Sequence, residues 1–311
     1  MKNLAAIDIG TNTALLLVAE AGGRGELHPL FQQEEIVKLG DGVDKNKRLT
    51  PEAVERALTA LRKYKAIIHE FGAEQVVISG TSAVRDAQNR SELIRQIKDL
   101  MGVELQVLSG EEEARLTYLG ALSNKSHLPG SILLIDVGGG STECILGTND
   151  SMEFVKSLDV GSVRLTERFV KHDPVTDEEL NHMRALLADH IEGIDNEIHR
   201  RSDHFVGVAG TVTTLAAMNL ELQPYQPELV DNSKLTLPQV SAIIAELQKK
   251  TIEERKRIPG LRPARADVIL AGAVILEEFM KEFNFEECLV SDRGLRYGLL
   301  LKLLKDRRVL S

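Results

Sequence analysis

Short apolar runs alternate with longer amphipathic stretches along the whole chain. The runs at 4–9, 76–79, 103–108, 133–137, 205–208 and 287–291 are too short for helices and have the length of buried strands. Helix signatures with identifiable ends lie between them. Thr50 followed by Pro51 reads as an N-cap and first helical position, with Gly72 where that helix stops. Asn89 or Ser91 opens a helix ending near Gly102, and a further helix over about 263–281 carries the small residues Ala271, Gly272 and Ala273, which admit a close neighbour. Ser109-x-x-Glu112, Thr176-x-x-Glu179, Thr236-x-x-Gln239 and Thr251-x-x-Glu254 are capping boxes, the second opening a long helix to about Arg200. A last helix is expected over 295–305.

One pattern occurs twice. The run from Leu4 ends in Asp8-Ile-Gly10, passes through Thr11, Asn12 and Thr13, and resumes as an apolar run at 14–19. The run from Leu133 ends in Asp136-Val-Gly138, passes through Gly139, Gly140, Ser141 and Thr142, resumes at 144–146, and is followed by a third strand at 153–158. Strand, tight polar turn and strand make a β-hairpin. Its recurrence predicts two domains of similar fold, divided in the polar stretch 123–130, which ends in Pro-Gly. Hairpins followed by alternating strands and helices give an α/β layered fold, not an all-parallel sheet.

Composition narrows the function. A chain of 311 residues suits two domains of about 100–200 residues each. With 38 Lys+Arg against 47 Asp+Glu, a net charge of −9 opposes a general nucleic-acid binder, and 4% aromatics without Trp supply little for base stacking. No apolar run approaches the roughly 18 residues of a membrane span, and Asp8 interrupts the apolar start where a signal peptide would need continuity. Cys144 and Cys288 stand in neither CxxC nor Cys/His spacing and read as reduced thiols. A cytoplasmic protein with no membrane or nucleic-acid partner is the expectation.

The two turns are the first candidate chemistry. Glycine lets the backbone approach an anion, and the N–H groups of such a turn form an anion-binding concavity. Hydroxyls on Thr11, Thr13, Ser141 and Thr142 add donors. Neither turn is a Walker A loop or a GxGxxG loop. Asp136 and Glu143 flank the second turn, and Asp8 holds the place of Asp136 in the first. Acids beside a phosphate call for an intervening cation; Mg²⁺ suits one or two carboxylates with phosphate oxygens and water. Glu111 and Glu112 favour the start of a helix, which leaves Glu113 to face a cleft and orient a water. Arg85 carries a fork that suits a phosphate, or an ion pair with Asp86 or another acid; Arg293 and Arg296 pose the same alternatives.

These residues fall in a known order. Ile7-Asp-Ile-Gly-Thr-Asn-Thr13, Gly80-Thr-Ser-Ala-Val-Arg85, Ser109-Gly-Glu-Glu-Glu-Ala-Arg115, Ile135-Asp-Val-Gly-Gly-Gly-Ser-Thr-Glu143, Val208-Ala-Gly-Thr211 and Ser291-Asp-Arg-Gly-Leu-Arg296 resemble the exopolyphosphatase/guanosine pentaphosphate phosphohydrolase family, from Ala5 to about Leu304. The resemblance implies two ribonuclease-H-like domains of the actin-like ATPase superfamily with a cleft between them, here 1–125 and 126–311, the last helix being free to pack back on the first domain. It implies release of terminal phosphate from inorganic polyphosphate, or of the 5′ γ-phosphate from guanosine pentaphosphate. It makes Glu113 the catalytic glutamate and Arg85 a phosphate ligand. Gly10, Thr11 and Asn12 become the first phosphate loop, and Gly138, Gly139, Gly140 and Ser141 the second. Asp136 and Glu143, with Asp8, become the holders of Mg²⁺ or another divalent cation. Gly210 and Thr211 lie where kinase relatives on this scaffold contact a nucleotide. A small-molecule kinase and a non-enzymatic nucleotide switch are the competing readings. Longer relatives carry a further C-terminal helical domain; this sequence ends at Ser311 without it, which together with the charge leads us to expect short chains or a nucleotide as substrate. A homodimer is expected on general grounds.

Overall fold

The computed structural model describes residues 2–23, 26–125, 128–198 and 202–310. They form two compact units. Unit 1 holds the chain up to Ser123 and from Gly294 onward, and unit 2 holds Asn124–Arg293. Residues 126 and 127 of the expected boundary lie outside the described residues.

Unit 1 is built on β1 (Lys2–Ile9), β2 (Thr13–Ala21), β3 (Leu27–Ile36), β4 (Gln75–Gly80) and β5 (Leu105–Val107), in the order β3-β2-β1-β4-β5. β1 runs antiparallel to β2 and parallel to β4, which is parallel to β5. The alternation along β1 divides its buried side chains between two faces. Ala5, Ile7 and Ile9 meet the core under helices Pro51–Glu70 and Arg90–Met101. Leu4 and Ala6 meet Leu116, Leu295, Tyr297 and Leu300 from helices Gly110–Leu122 and Leu295–Leu310. Each fully buried Leu or Ile contributes roughly 1.5–3 kcal/mol. The last helix approaches its neighbour closely at Gly298, where a Cβ would overlap the Leu116 carbonyl.

The expected caps form at Thr50, which accepts from Ala53 N–H at 3.2 Å, and at the left-handed Gly72 and Gly102. Asn89 does not cap the helix after it; its amide bonds both backbone groups of Leu49 instead. β3 was not expected from its sequence. It is a mostly half-buried edge strand with a polar second half, and Pro29 and a bulge opposite Val18/Ala19 blunt it against further pairing.

Unit 2 repeats the plan with β6 (Ile132–Val137), β7 (Thr142–Gly147), β8 (Met152–Leu158), β9 (His204–Val208), β10 (Lys234–Thr236) and β11 (Glu287–Val290), in the order β10-β11-β9-β6-β7-β8. Without the antiparallel outer β10, its order from β8 to β11 matches that from β3 to β5. Three antiparallel strands followed by two parallel ones is the ribonuclease-H-like arrangement of the actin-like superfamily, and the chain builds it twice. The long helix covers Asp177–Ile198; its expected end near Arg200 lies outside the described residues. The helix expected over 263–281 is broken into a 3₁₀ turn, Pro263–Arg265, and a helix, Ile269–Glu282. Gly272 on the latter meets Thr211 and Ser162, the close approach its small residues permit. Among the described residues no helix is long and apolar enough to cross a membrane.

Candidate active site

In unit 1 three segments leave the C-terminal ends of the parallel strands β1, β4 and β5, the edge where α/β sheets bind ligands. The turn after β1 closes with Gly10 N–H donating to Thr13 O at 2.8 Å. Thr81 N–H donates to Ile9 O at 3.2 Å and Leu108 N–H to Gly80 O at 3.0 Å, which stitches the segments side by side. Among the described residues neither Thr11 nor Asn12 donates its N–H to a backbone carbonyl, while their own carbonyls are taken from behind: Gly40 N–H donates to Thr11 O, and Val37 and Lys38 N–H to Asn12 O. Gly40 is needed there, because a Cβ would overlap the Thr11 side chain. Asn12 is only 6% exposed, yet among the described residues neither atom of its side-chain amide has a hydrogen-bond partner. A buried, unmatched amide costs about 1–3 kcal/mol unless something binds it, so this turn is poised for a polar ligand.

The same edge brings Arg85 and Glu113 together. The Ser109–Glu112 capping box forms as expected, with bonds of 2.9 and 3.2 Å, and fixes the first turn of helix Gly110–Leu122. Glu113 comes next and is buried. Arg85 Nη1 donates to Glu113 Oε2 and to Leu108 O, both at 3.0 Å. Of the alternatives open for Arg85, the ion pair is thus present, and its partner is the candidate water-orienting acid. Asp8 lies one residue before the end of β1, in register with Ser79 on β4.

In unit 2 the turn after β6 has the same closure, Gly138 N–H donating to Ser141 O at 3.1 Å. Among the described residues Gly139 and Gly140 donate their N–H groups to no backbone carbonyl. Asp136 and Glu143 stand directly opposite each other in the β6/β7 register, Glu143 being 1% exposed and accepting from Ser157 Oγ at 2.7 Å. Two buried acids directly opposite repel, so the pair suits a bound cation; Mg²⁺, with its taste for one or two carboxylates plus phosphate oxygens, fits this donor set. Among the described residues no group of three or more His, Cys, Asp or Glu side chains is gathered for an ion. His172, beside Asp173, pairs with Glu179 at 2.9 Å.

Gly210 and Thr211 begin the helix Ala209–Asn219 at the end of β9. The Arg265 guanidinium lies over Gly210, where a Cβ would overlap it, and Thr211 is packed against Gly272. Arg265, Ser157 and the 37–40 segment are absent from any sequence reading of the site. Each reaches it through tertiary contact, and no local motif marks them.

The model of the Ppx/GppA phosphatase family matches residues 17–307. The chain belongs to that family. Exopolyphosphatase 2 of Mycobacterium tuberculosis is 34% identical to it, over 97% of this chain and 99% of the relative. The crystal structure of an exopolyphosphatase from Cytophaga hutchinsonii matches with a TM-score of 0.91 at 30% identity, covering 98% of both chains. That of the Aquifex aeolicus member of the Ppx/GppA family matches with a TM-score of 0.83 at 33% identity, again over 98% of both. These likenesses span both units, and they make the chain a phosphoric anhydride hydrolase in kind.

Proposed function

We propose that the chain releases terminal phosphate from inorganic polyphosphate, short chains first, by attack of water. The observation that carries this reading is the buried Glu113 carboxylate held by Arg85 at 3.0 Å on the same strand edge as an anion-ready turn. Glu113 orients the water and accepts its proton as the oxygen attacks the terminal phosphorus and the bridging P–O bond breaks. Arg85 holds Glu113 in place and binds the phosphate. In unit 1 the N–H groups of Thr11 and Asn12, with the Asn12 amide, and in unit 2 those of Gly139 and Gly140, with the Ser141 hydroxyl, bind phosphate oxygens. Asp136 and Glu143 would hold Mg²⁺ or another divalent cation, which when bound neutralises phosphate charge. The net charge of −9 favours short chains over long polyanions.

Glu113→Gln tests the assignment. It should lower kcat for tripolyphosphate about 10²–10⁴-fold while tripolyphosphate still binds. Equal loss of binding and turnover would remove Glu113 from this role. Phosphate release measured side by side on tripolyphosphate, long polyphosphate, guanosine pentaphosphate and ATP decides the substrate. Faster release from guanosine pentaphosphate would replace polyphosphate by that nucleotide.

A further inference from the structure

The glycine turn of unit 2 is fastened from behind, peptide by peptide. Ser162 N–H donates to Gly138 O at 2.9 Å, and Val163 and Arg164 N–H donate to Gly139 O at 2.8 and 3.1 Å. The Arg164 side chain donates through Nε to Gly140 O at 2.7 Å. In a trans peptide the C=O and the following N–H point in opposite directions. Each of these bonds therefore turns the next N–H, of Gly139, Gly140 and Ser141 in order, away from the helix Ser162–Phe169. Backbone groups hold the first two peptides, and a side chain holds the third.

Unit 1 holds its corresponding third carbonyl, Asn12 O, with two backbone donors, Val37 N–H and Lys38 N–H at 3.0 and 2.9 Å. Arg164 replaces that backbone clamp. Its side chain is 5% exposed, and the Asp159 carboxylate lies 3.8 Å from its Nη2. Gly140 gives the peptide after it no Cβ to resist rotation.

We propose that Arg164 is a positioning residue: it keeps the Gly140–Ser141 peptide turned so that Ser141 N–H, and not Gly140 O, faces the bound phosphate. This rests on the reading of Gly138–Ser141 as a phosphate loop. Without the clamp the peptide turns over, one donor is lost, and a carbonyl dipole meets the anion.

The test compares Arg164→Gln with Arg164→Met. Glutamine places an N–H donor the same number of bonds from Cα as Nε and removes the charge, whereas methionine fills similar space with no donor. Binding of tripolyphosphate is measured by calorimetry, KM and kcat by phosphate release, and folding by thermal melting. Arg164→Met should weaken tripolyphosphate binding about 10- to 100-fold, through KM more than kcat, with Arg164→Gln retaining most of it. Wild-type binding by the methionine variant would overturn the proposal, and so would equal loss in both variants, which would make charge the agent. Failure of the wild-type protein itself to bind tripolyphosphate would instead overturn the loop assignment beneath it. Should Arg164→Met not fold, the wild-type amide spectrum decides. Tripolyphosphate should shift the Ser141 amide together with those of Gly139 and Gly140, and an unmoved Ser141 beside two shifted glycines would refute the clamp.

Discussion

Gly161→Ala separates the geometry of the glycine turn from its chemistry. Gly161 precedes the helix Ser162–Phe169 in extended backbone, φ −161° and ψ 164°, which any residue adopts, so alanine brings no backbone strain. Its Cβ, however, would lie 2.5 Å from the carbonyl carbon and oxygen of Gly139 and 2.7 Å from that of Gly140. Non-bonded carbons settle at about 3.5–4.0 Å, so the turn must retreat from the helix by about 1 Å, and no flexible side chain is there to give way instead. That retreat stretches the bonds from Ser162, Val163 and Arg164 while leaving every phosphate-facing group in the sequence. A misplacement of about 1 Å costs on the order of 10²-fold in rate. Overpacking of this kind costs about 1–3 kcal/mol in stability. The expected result is a fall of about 100-fold in kcat/KM for tripolyphosphate, measured at a temperature where the variant is fully folded, with a melting temperature lowered by several degrees. Gly193→Ala is the control, since a Cβ there meets nothing within 4 Å; it should leave the kinetics alone and stabilise the long helix by up to about 1 kcal/mol. Wild-type kcat/KM in Gly161→Ala would refute the claim that the turn's position against that helix matters.

Three further outcomes follow from single contacts. Arg56 donates to Val37 O at 2.7 Å and Lys38 O at 3.0 Å, stiffening the segment behind the Thr11–Asn12 turn, so Arg56→Met should raise KM for tripolyphosphate about 3- to 10-fold in steady-state kinetics, with Arg62→Ala, on the same helix, unchanged. The Lys125 side chain is 2% exposed and donates to Asp231 Oδ1 at 2.8 Å; burial lowers its pKa against the pull of Asp231, while on Asp231 the Lys125 bond and charge outweigh the opposing effect of burial. Asp231→Asn should cost about 3 kcal/mol in urea unfolding at pH 7, the low end for a broken buried pair because Asn232 Oδ1 and Val290 O still accept from Lys125. The deficit should narrow as pH rises toward 10.5, where the buried amine sheds its proton before the unfolded one does. Burial pushes Glu179 upward, but hydrogen bonds from Thr176, His172 and Lys171 hold it at about 2, below the ordinary 4.5. Its contribution is present above pH 4.5 and lost as pH falls toward 2, so acid melting curves of Glu179→Gln should lose less stability across that window than wild type.

What the sequence made legible was local. An apolar run ending in Asp-x-Gly identifies both hairpins because strand, turn and burial are decided within a dozen residues. The Thr50 and Ser109 caps could be read for the same reason, each being a side chain bonding its own helix. Helix Ser162–Phe169 went unread because it has no side-chain cap: its first N–H groups are satisfied by Gly138 and Gly139 carbonyls, far off in sequence. β3 hid because its second half, residues 32–35, is polar and half-buried and shows no alternation of apolar and polar positions. The partner of Arg85 was undecidable between Asp86 and other acids until the fold set Glu113 beside it.

The two hairpins also show how one scaffold carries divided chemistry. Their closures match, Gly10 to Thr13 and Gly138 to Ser141, and each follows a strand with an aspartate in the same place. Opposite Asp136 stands Glu143, but opposite Asp8 stands Leu15. Only the second hairpin therefore presents two facing carboxylates, and a cation is favoured there. The first hairpin, relieved of that charge, neighbours the strand edge that carries Arg85 and Glu113.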